Sequence, residues 1–120
     1  EFLRKYLKTS TNNISFEATL SKMEPLASDS NTLDGLNVHG AIIDELHAHK
    51  TSEVVDLLDT ATGSRKNPMI YEITTAGFNK LSVCFKHREY SEKVLRGIIK
   101  DESWASFIFT IDKNDDWKDE

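Results

Sequence analysis

The sequence predicts an α/β fold with a mostly parallel sheet, because short apolar segments alternate with segments of helical periodicity. Residues 41–43 (Ala-Ile-Ile) are uniformly apolar and suit a central strand that is buried on both faces. Residues 68–74 form a second predicted core strand, which is entered through a proline and followed by the small residues Thr75, Ala76 and Gly77. A helical segment follows each of these strands, as in the strand–helix units of a parallel sheet.

Two helices are predicted. The first has Thr51 as its N-cap and ends at Gly63, and the second begins near Asn79. In both, apolar residues recur at a spacing that places them on one face. The two apolar faces comprise Val54, Leu57, Leu58 and Ala61 in the first helix, and Leu81, Cys84, Phe85, Leu95 and Ile98 in the second.

Four further segments complete the predicted pattern. Residues 1–8 have the spacing of the tail of an amphipathic helix, and residues 14–20 alternate as a strand with one buried face does. Residues 26–35 are dense in Ser, Asn, Asp and Gly and are therefore predicted to form a loop. Residues 104–111 are predicted to form a final strand that runs into an acidic terminus.

The composition restricts the class of protein. The 120 residues suffice for one domain or for a piece of a larger one. The formal net charge of −5 is uneven, because residues 64–100 carry 8 Lys/Arg and 3 Asp/Glu, and this basic section either meets phosphate or is a solvated face. No apolar run approaches the roughly 18 residues that cross a bilayer, and the N-terminus has no signal h-region. The single Cys84 cannot form an internal disulfide, which is consistent with a reducing cytoplasm.

Two adjacent carboxylates, Asp44 and Glu45, directly follow the first core strand. Desolvation and mutual repulsion oppose their ionisation, so a cation is expected to share them. In an open α/β sheet, ligands bind beyond the carboxyl ends of the strands, where Asp44 and the pair Thr74-Thr75 fall. The pattern matches a Walker B motif, in which the Asp holds Mg²⁺ through its waters and the next carboxylate orients or deprotonates a water against the γ-phosphate of ATP. The alternative is a strand end whose acids merely begin a loop.

The two histidines that follow permit a different interpretation. Asp44, His47 and His49 form a D-x-x-H-x-H cluster whose imidazoles are suitable zinc ligands, as in a zinc hydrolase. The cluster lacks the H-E-x-x-H spacing that puts two ligands on one helical face, and no further Cys/His group completes it. The sequence therefore favours the nucleotide interpretation over zinc.

Four stretches together resemble the large subunit of tailed-phage terminases, the ATP-driven motors that pump DNA into procapsids. They are DGLN at 34–37, IIDELHAHK at 42–50, TGSRKNP at 62–68 and ITTAG at 73–77. The resemblance continues more loosely through SVCFKHREYSEKVLRG and FIFTIDKNDDW, so that it covers about residues 13–117.

This resemblance implies that Asp44 is the magnesium-side acid of the Walker B motif and that Glu45 is the catalytic carboxylate that activates water. Thr74, Thr75 and Ala76 would be the coupling motif, which senses the nucleotide and transmits its state to the parts that grip DNA. The implied fold is an additional-strand P-loop ATPase of three layers, followed by a ribonuclease-H-like nuclease domain. ATP and Mg²⁺ are the implied cofactors. The implied partners are double-stranded phage DNA, the portal protein, the small terminase subunit and further copies of the chain, in the cytoplasm of the bacterial host and without a membrane.

The sequence also departs from the family pattern, because it contains no G-x-x-x-x-G-K-[ST] and therefore no phosphate-cradling loop. It also lacks the cluster of acids that the nuclease domain needs. We therefore expect residues 1–111 to be the C-terminal section of the ATPase domain and residues 112–120 to be an acidic linker toward the nuclease domain. Such a fragment alone is expected to bind ATP very weakly and to hydrolyse none measurably. The rival hypothesis is a non-catalytic interaction module or remnant.

Overall fold

The computed structural model describes residues 2–26 and 35–111, which divide into two units. The first comprises residues up to Ile43 together with Ser52–Tyr71, and the second comprises Asp44–Thr51 and the residues from Glu72 onward. In chain order the strands and helices are β1 (Lys8–Ser10), β2 (Asn13–Phe16), β3 (Ser21–Met23), β4 (Gly40–Ile43), α1 (Glu53–Ala61), β5 (Met69–Glu72) and α2 (Val83–Leu95). Neither helix of this described part is long and apolar enough to cross a membrane.

The N-terminal residues form a small antiparallel sheet with the strand order β1-β2-β3. The prediction of a helix tail over residues 1–8 was wrong, because a single 3-10 turn at Leu3–Lys5 leads directly into β1. The prediction of one strand over residues 14–20 was only partly right. The strand ends at Phe16 and a 3-10 turn follows, after which Leu20 adopts a left-handed conformation (φ 54°) that starts the return strand β3.

Strands β4 and β5 pair with each other in a separate two-stranded sheet. The backbone N–H of Met69 donates to the carbonyl of His39 at the start of the pair, and the N–H of Leu46 donates to the carbonyl of Ile73 beyond its end. Residue numbers increase together along the two segments, so the pair is parallel. This agrees with the predicted α/β class, whereas the three-layer, mostly parallel sheet stays a prediction.

The prediction that residues 41–43 are buried on both faces was wrong. Ile43 is buried, with 4% of its surface exposed, whereas the neighbouring Ile42 is 60% exposed. Successive strand residues point to opposite faces, so only the Ile43 face of β4 is covered.

Helix α1 buries Val55 and Leu58, while the predicted face residues Val54, Leu57 and Ala61 are half-buried. The helix begins after Ser52 and not after the predicted cap Thr51, and the Ser52 hydroxyl donates to the Asp56 carboxylate (2.7 Å) instead of capping the backbone.

Helix α2 begins at Val83, four residues later than predicted. The Asn79 side chain accepts a hydrogen bond from the N–H of Leu81 (2.9 Å), and this local turn competes with helix formation. The helix starts only after Ser82, whose hydroxyl accepts from the N–H of Phe85. Of the predicted apolar face, Cys84 is buried and Phe85 half-buried, whereas Leu81, Leu95 and Ile98 are exposed.

Residues 104–111 were predicted to form a strand, but they join neither of the two sheets found in the described part of the chain. Their exposure nevertheless alternates from Trp104 to Phe109, as the sequence pattern requires of an extended segment. The indole N–H of Trp104 donates to the Ser91 hydroxyl of α2 (2.9 Å), which fixes the start of this segment. The predicted acidic linker at 112–120 lies outside the described residues.

Candidate functional site

The loop after β4 carries the two adjacent acids in an unusual backbone conformation. Glu45 has φ 54° and ψ 44°, which is the left-handed region that non-glycine residues rarely occupy. Its N–H donates to Oδ1 of Asp44 (2.9 Å), and the next residue, Leu46, is 2% exposed. A buried leucine thus anchors a strained turn whose two carboxylates are exposed to solvent. Strain of this kind concentrates at functional sites, which makes this turn a candidate site.

The ends of the two parallel strands lie together at this turn. The N–H of Leu46 donates to the carbonyl of Ile73 (3.3 Å), and the N–H of His47 donates to the hydroxyl of Thr74 (3.0 Å). The segment carrying Asp44 and Glu45 is therefore hydrogen-bonded to the segment that begins the Thr-Thr-Ala sequence. This is the arrangement expected for ligand-binding residues at the carboxyl edge of a parallel sheet.

The side chain of His47 lies between the acids and the threonines. Its Nδ1 atom is 3.0 Å from Oγ1 of Thr74 and 3.4 Å from Oγ1 of Thr75, and its Nε2 atom is 3.3 Å from Oε2 of Glu45. Sequence reasoning considered His47 only as a zinc ligand and missed this bridging position. The feature of the sequence that could have indicated this position is that His47 follows Asp44 by only three residues.

The Thr74 hydroxyl is the most connected group of the site. In addition to its contacts with His47, it donates to the carbonyl of Thr75 (2.9 Å) and lies 3.7 Å from the sulfur of Cys84 in α2. Ala76 is exposed and follows directly along the chain. Gly77 then passes so close to His47 that a Cβ added to the glycine would lie 2.9 Å from Cβ of His47.

The donor set suits a hard divalent cation better than zinc. Mg²⁺ keeps several waters and takes one or two protein carboxylates, and the exposed carboxylate of Asp44 is an oxygen donor of this kind. A zinc centre needs three or four close ligands. No group of three His, Cys, Asp or Glu side chains suited to a metal occurs among the described residues, so the geometry does not support a zinc site at His47 and His49.

A second cluster of polar and aromatic side chains lines a shallow depression beside α2. Nδ1 of His87 lies 2.8 Å from the Glu72 carboxylate, and Tyr90 donates to Asp101 (2.8 Å). Trp104 packs edge-on against both His87 and Tyr90, with ring centroids 5.3 and 5.1 Å apart. Hydrogen bonds from Ser103 and Tyr90 lower the pKa of Asp101, and the bond to Asp101 raises the pKa of Tyr90. These contacts tie the segment after α2 to the helix.

Basic side chains on α2 and directly after it belong to the basic section of residues 64–100. Lys86, Lys93 and Arg96 are all at the surface. Arg88 within α2 and Arg96 directly after it both pair with Glu92, at 3.1 and 3.7 Å, so the charge of each arginine is already partly neutralised.

Comparison with known proteins identifies the family. The family described as "Terminase large subunit, ATPase domain" matches residues 2–93, which is most of the chain. The chain therefore belongs to the terminase large-subunit ATPase-domain family, and the resemblance predicted from the sequence is confirmed.

A curated protein and a solved structure are also similar to this chain. It is 35% identical over 86 residues to the protein YmfN of Escherichia coli (strain K12), covering 72% of this chain and 19% of that protein. Its fold is similar to the crystal structure of the HK97 bacteriophage large terminase, with a TM-score of 0.74 and 18% identity, over 96% of this chain and 24% of that one. The chain thus spans about a fifth to a quarter of the length of the relatives that it matches.

Proposed function

We propose that this chain supplies the Walker B acids and the coupling motif of a phage or prophage DNA-packaging motor that hydrolyses ATP with Mg²⁺. The observation that carries the proposal is the hydrogen bonding of the turn after Asp44 and Glu45 to Thr74. Family membership supplies the ATPase class, and the meeting of the two strand ends supports a shared site for the acids and the threonines.

The two acids have separate roles in this proposal. Asp44 is the acid that would hold Mg²⁺, and its Oδ1 atom is kept in place by a hydrogen bond from the N–H of Glu45. Mg²⁺ neutralises charge that develops on the phosphates when it is bound. Glu45 orients and deprotonates the attacking water, and its side chain, 61% exposed, is accessible to a water beyond the strand edge.

The coupling motif consists of Thr74, Thr75 and Ala76. The Thr74 hydroxyl contacts the acid-bearing turn on one side and Cys84 of α2 on the other, so a change in the turn reaches the helix through one group. In the motor, this connection is proposed to convert the state of the nucleotide into movement of the parts that hold double-stranded DNA.

The remaining features of the proposed motor follow from the family. They are a three-layer, mostly parallel sheet of the additional-strand P-loop type, with residues 1–111 in the C-terminal section of the ATPase domain. Residues 112–120 would lead toward a nuclease domain. The portal protein, the small terminase subunit and further copies of the chain would be partners in the bacterial host cytoplasm.

The proposal is tested in the full-length product of the gene that encodes this sequence. Glu45→Gln keeps the size of the side chain but removes the base, so ATP turnover measured by phosphate release should fall about 10²- to 10⁴-fold. Binding of a fluorescent ATP analogue with Mg²⁺ should persist. Asp44→Asn should instead raise the Mg²⁺ concentration needed for half-maximal turnover.

The matched control is Glu53→Gln, which removes an exposed acid from the first turn of α1. Its turnover should equal that of the unmodified protein. The rival hypothesis, a non-catalytic interaction module, predicts that Glu45→Gln and Glu53→Gln behave alike in turnover and in DNA packaging, and that result would remove the proposed function.

A further inference from the structure

We propose that His47 is a positioning residue, which holds the Glu45 carboxylate through one ring nitrogen and contacts the Thr74–Thr75 hydroxyls through the other. The inference deepens the proposed function and rests on it. Neither family membership nor the two acids require a histidine at this place. The geometry points to it, because one imidazole touches both halves of the proposed site.

The hydrogens of this network can be assigned consistently. Nε2 of His47 lies 3.3 Å from Oε2 of Glu45, a close contact that is favourable when Nε2 carries the ring hydrogen, because a carboxylate accepts. In the neutral ring Nδ1 is then an acceptor, and a threonine hydroxyl must donate to it. The hydroxyls of Thr74 at 3.0 Å and Thr75 at 3.4 Å are both within donating distance of Nδ1, and the Thr74 hydrogen is shared between Nδ1 and the carbonyl of Thr75. Both nitrogens of the imidazole thus lie close to polar atoms of the site.

The imidazole is also fixed in position by its backbone. The N–H of His47 donates to the Thr74 hydroxyl, so backbone and ring both contact the coupling motif. Gly77 lies close to Cβ of the histidine, and the side chain is 26% exposed. Contacts at the backbone, at Cβ and at both ring nitrogens therefore limit how far the ring can turn independently of the threonines.

The functional consequence is a direct link between the nucleotide-sensing segment and the base. A rotation of the Thr74 or Thr75 hydroxyl changes what His47 contacts, and the Nε2–H then no longer holds Glu45 in the same orientation. Misplacing a catalytic group by about 1 Å is enough to cost about 10²-fold in rate. His47 therefore acts through Glu45 and not on the substrate.

The test uses steady-state ATP hydrolysis by the full-length protein. His47→Ala should lower kcat about 10²-fold while the KM for ATP changes by less than about twofold, because only the orientation of the base is lost. His47→Gln retains a donor and an acceptor amide and should recover at least a tenth of the lost rate. The matched control is His49→Ala, two residues away and without a hydrogen bond to the threonines, which should leave kcat and KM unchanged.

A double-mutant cycle tests the link to the coupling motif. Thr74→Val removes the hydroxyl. Thr74→Ser keeps the hydroxyl and is the control that separates its loss from a general failure to fold. If His47 acts through this contact, the His47→Ala/Thr74→Val double variant should be no slower than the slower single variant. Fully multiplicative losses, or a Thr74→Ser variant as slow as Thr74→Val, would overturn the link.

Glu45→Gln separates failure of this inference from failure of the proposed function. If Glu45→Gln abolishes turnover and the His47 variants behave like His49→Ala, the inference is refuted and the proposed function stands. If Glu45→Gln leaves turnover unchanged, the proposed function itself fails. A loss of kcat in His47→Ala that is accompanied by an equal loss in His49→Ala reflects general damage to the loop and also refutes the inference.

Discussion

The close approach of Gly77 to His47 gives a prediction whose size follows from the coordinates. In Gly77→Ala the new methyl group would lie 2.9 Å from Cβ of His47, where an ordinary contact is 3.4–4 Å. At least about half an ångström of movement is therefore required, and overpacking of this kind costs typically about 1–3 kcal/mol. The same movement shifts the imidazole relative to Glu45, so kcat for ATP should fall about 10-fold or more.

The control for this prediction is Gly40→Ala. A Cβ at Gly40 would lie 3.8 Å from the carbonyl oxygen of Met69, which is an ordinary contact. Replacing glycine by alanine without strain stabilises a protein by about 0.4–1 kcal/mol, because the unfolded chain has less freedom to lose. The two variants should therefore differ by at least about 1.4 kcal/mol in the free energy of unfolding.

Urea unfolding of the 120-residue chain measures the free energies, and phosphate release by the full-length protein measures kcat. Equal stabilities for Gly77→Ala and Gly40→Ala would refute the packing argument. A destabilised Gly77→Ala with normal kcat would show that the position of His47 does not control Glu45.

Three further predictions concern stability. Leu46→Ala removes a side chain that is 2% exposed and should lower the free energy of unfolding by about 2–5 kcal/mol in urea titrations; a loss below about 1 kcal/mol would contradict its role as the anchor of the turn. Trp104→Phe leaves the buried Ser91 hydroxyl without its donor and should cost about 1–3 kcal/mol, whereas Ser91→Ala/Trp104→Phe should recover part of this loss. The pKa of Asp101 is lower in the folded protein than in the unfolded chain. The ionised Asp101 therefore stabilises the fold at pH values above its pKa in the unfolded chain, and this stabilisation is lost as pH falls through its pKa in the folded protein. The stability difference between the protein and Asp101→Asn should therefore shrink below about pH 4, and a difference that does not change with pH would refute this assignment.

The central strand–helix–strand unit was predictable because its signals are local. The apolar run that became β4, the periodic segment of α1 and the proline-led strand β5 were each expected within a few residues of where they occur. The boundaries were less predictable, because they depend on competing local hydrogen bonds. At Asn79 a side-chain turn delays α2, and a periodicity of apolar residues carries no information about that competition.

Burial and pairing were the least predictable features, since they depend on residues far away in sequence. Ile42 and Ile43 are equivalent in the sequence, yet only Ile43 is covered. Residues 104–111 alternate as a strand should, but alternation specifies a covered face and not a pairing partner. In the candidate site, the order of the segments predicted that the acids and threonines fall at one edge. The contact of His47 with both groups could not be predicted from the sequence, because it depends on the left-handed turn at Glu45.

That turn also answers the question that the neighbouring acids raise. The sequence suggested that a cation must compensate two like charges as a buried strand ends, but both Asp44 and Glu45 are exposed to water, and the N–H of Glu45 stabilises one Asp44 oxygen. Water therefore offsets most of the repulsion before any ligand binds, and only Leu46 between the acids and the histidine is buried.

The acids are then expected to contribute little to folding and much to ligand binding. Asp44→Asn and Glu45→Gln should each change the free energy of unfolding by less than about 0.5 kcal/mol, in contrast to Leu46→Ala. A large stability change in either acid variant, measured in the same urea titrations, would mean that the pair is structural and would remove the physical basis for assigning it to catalysis.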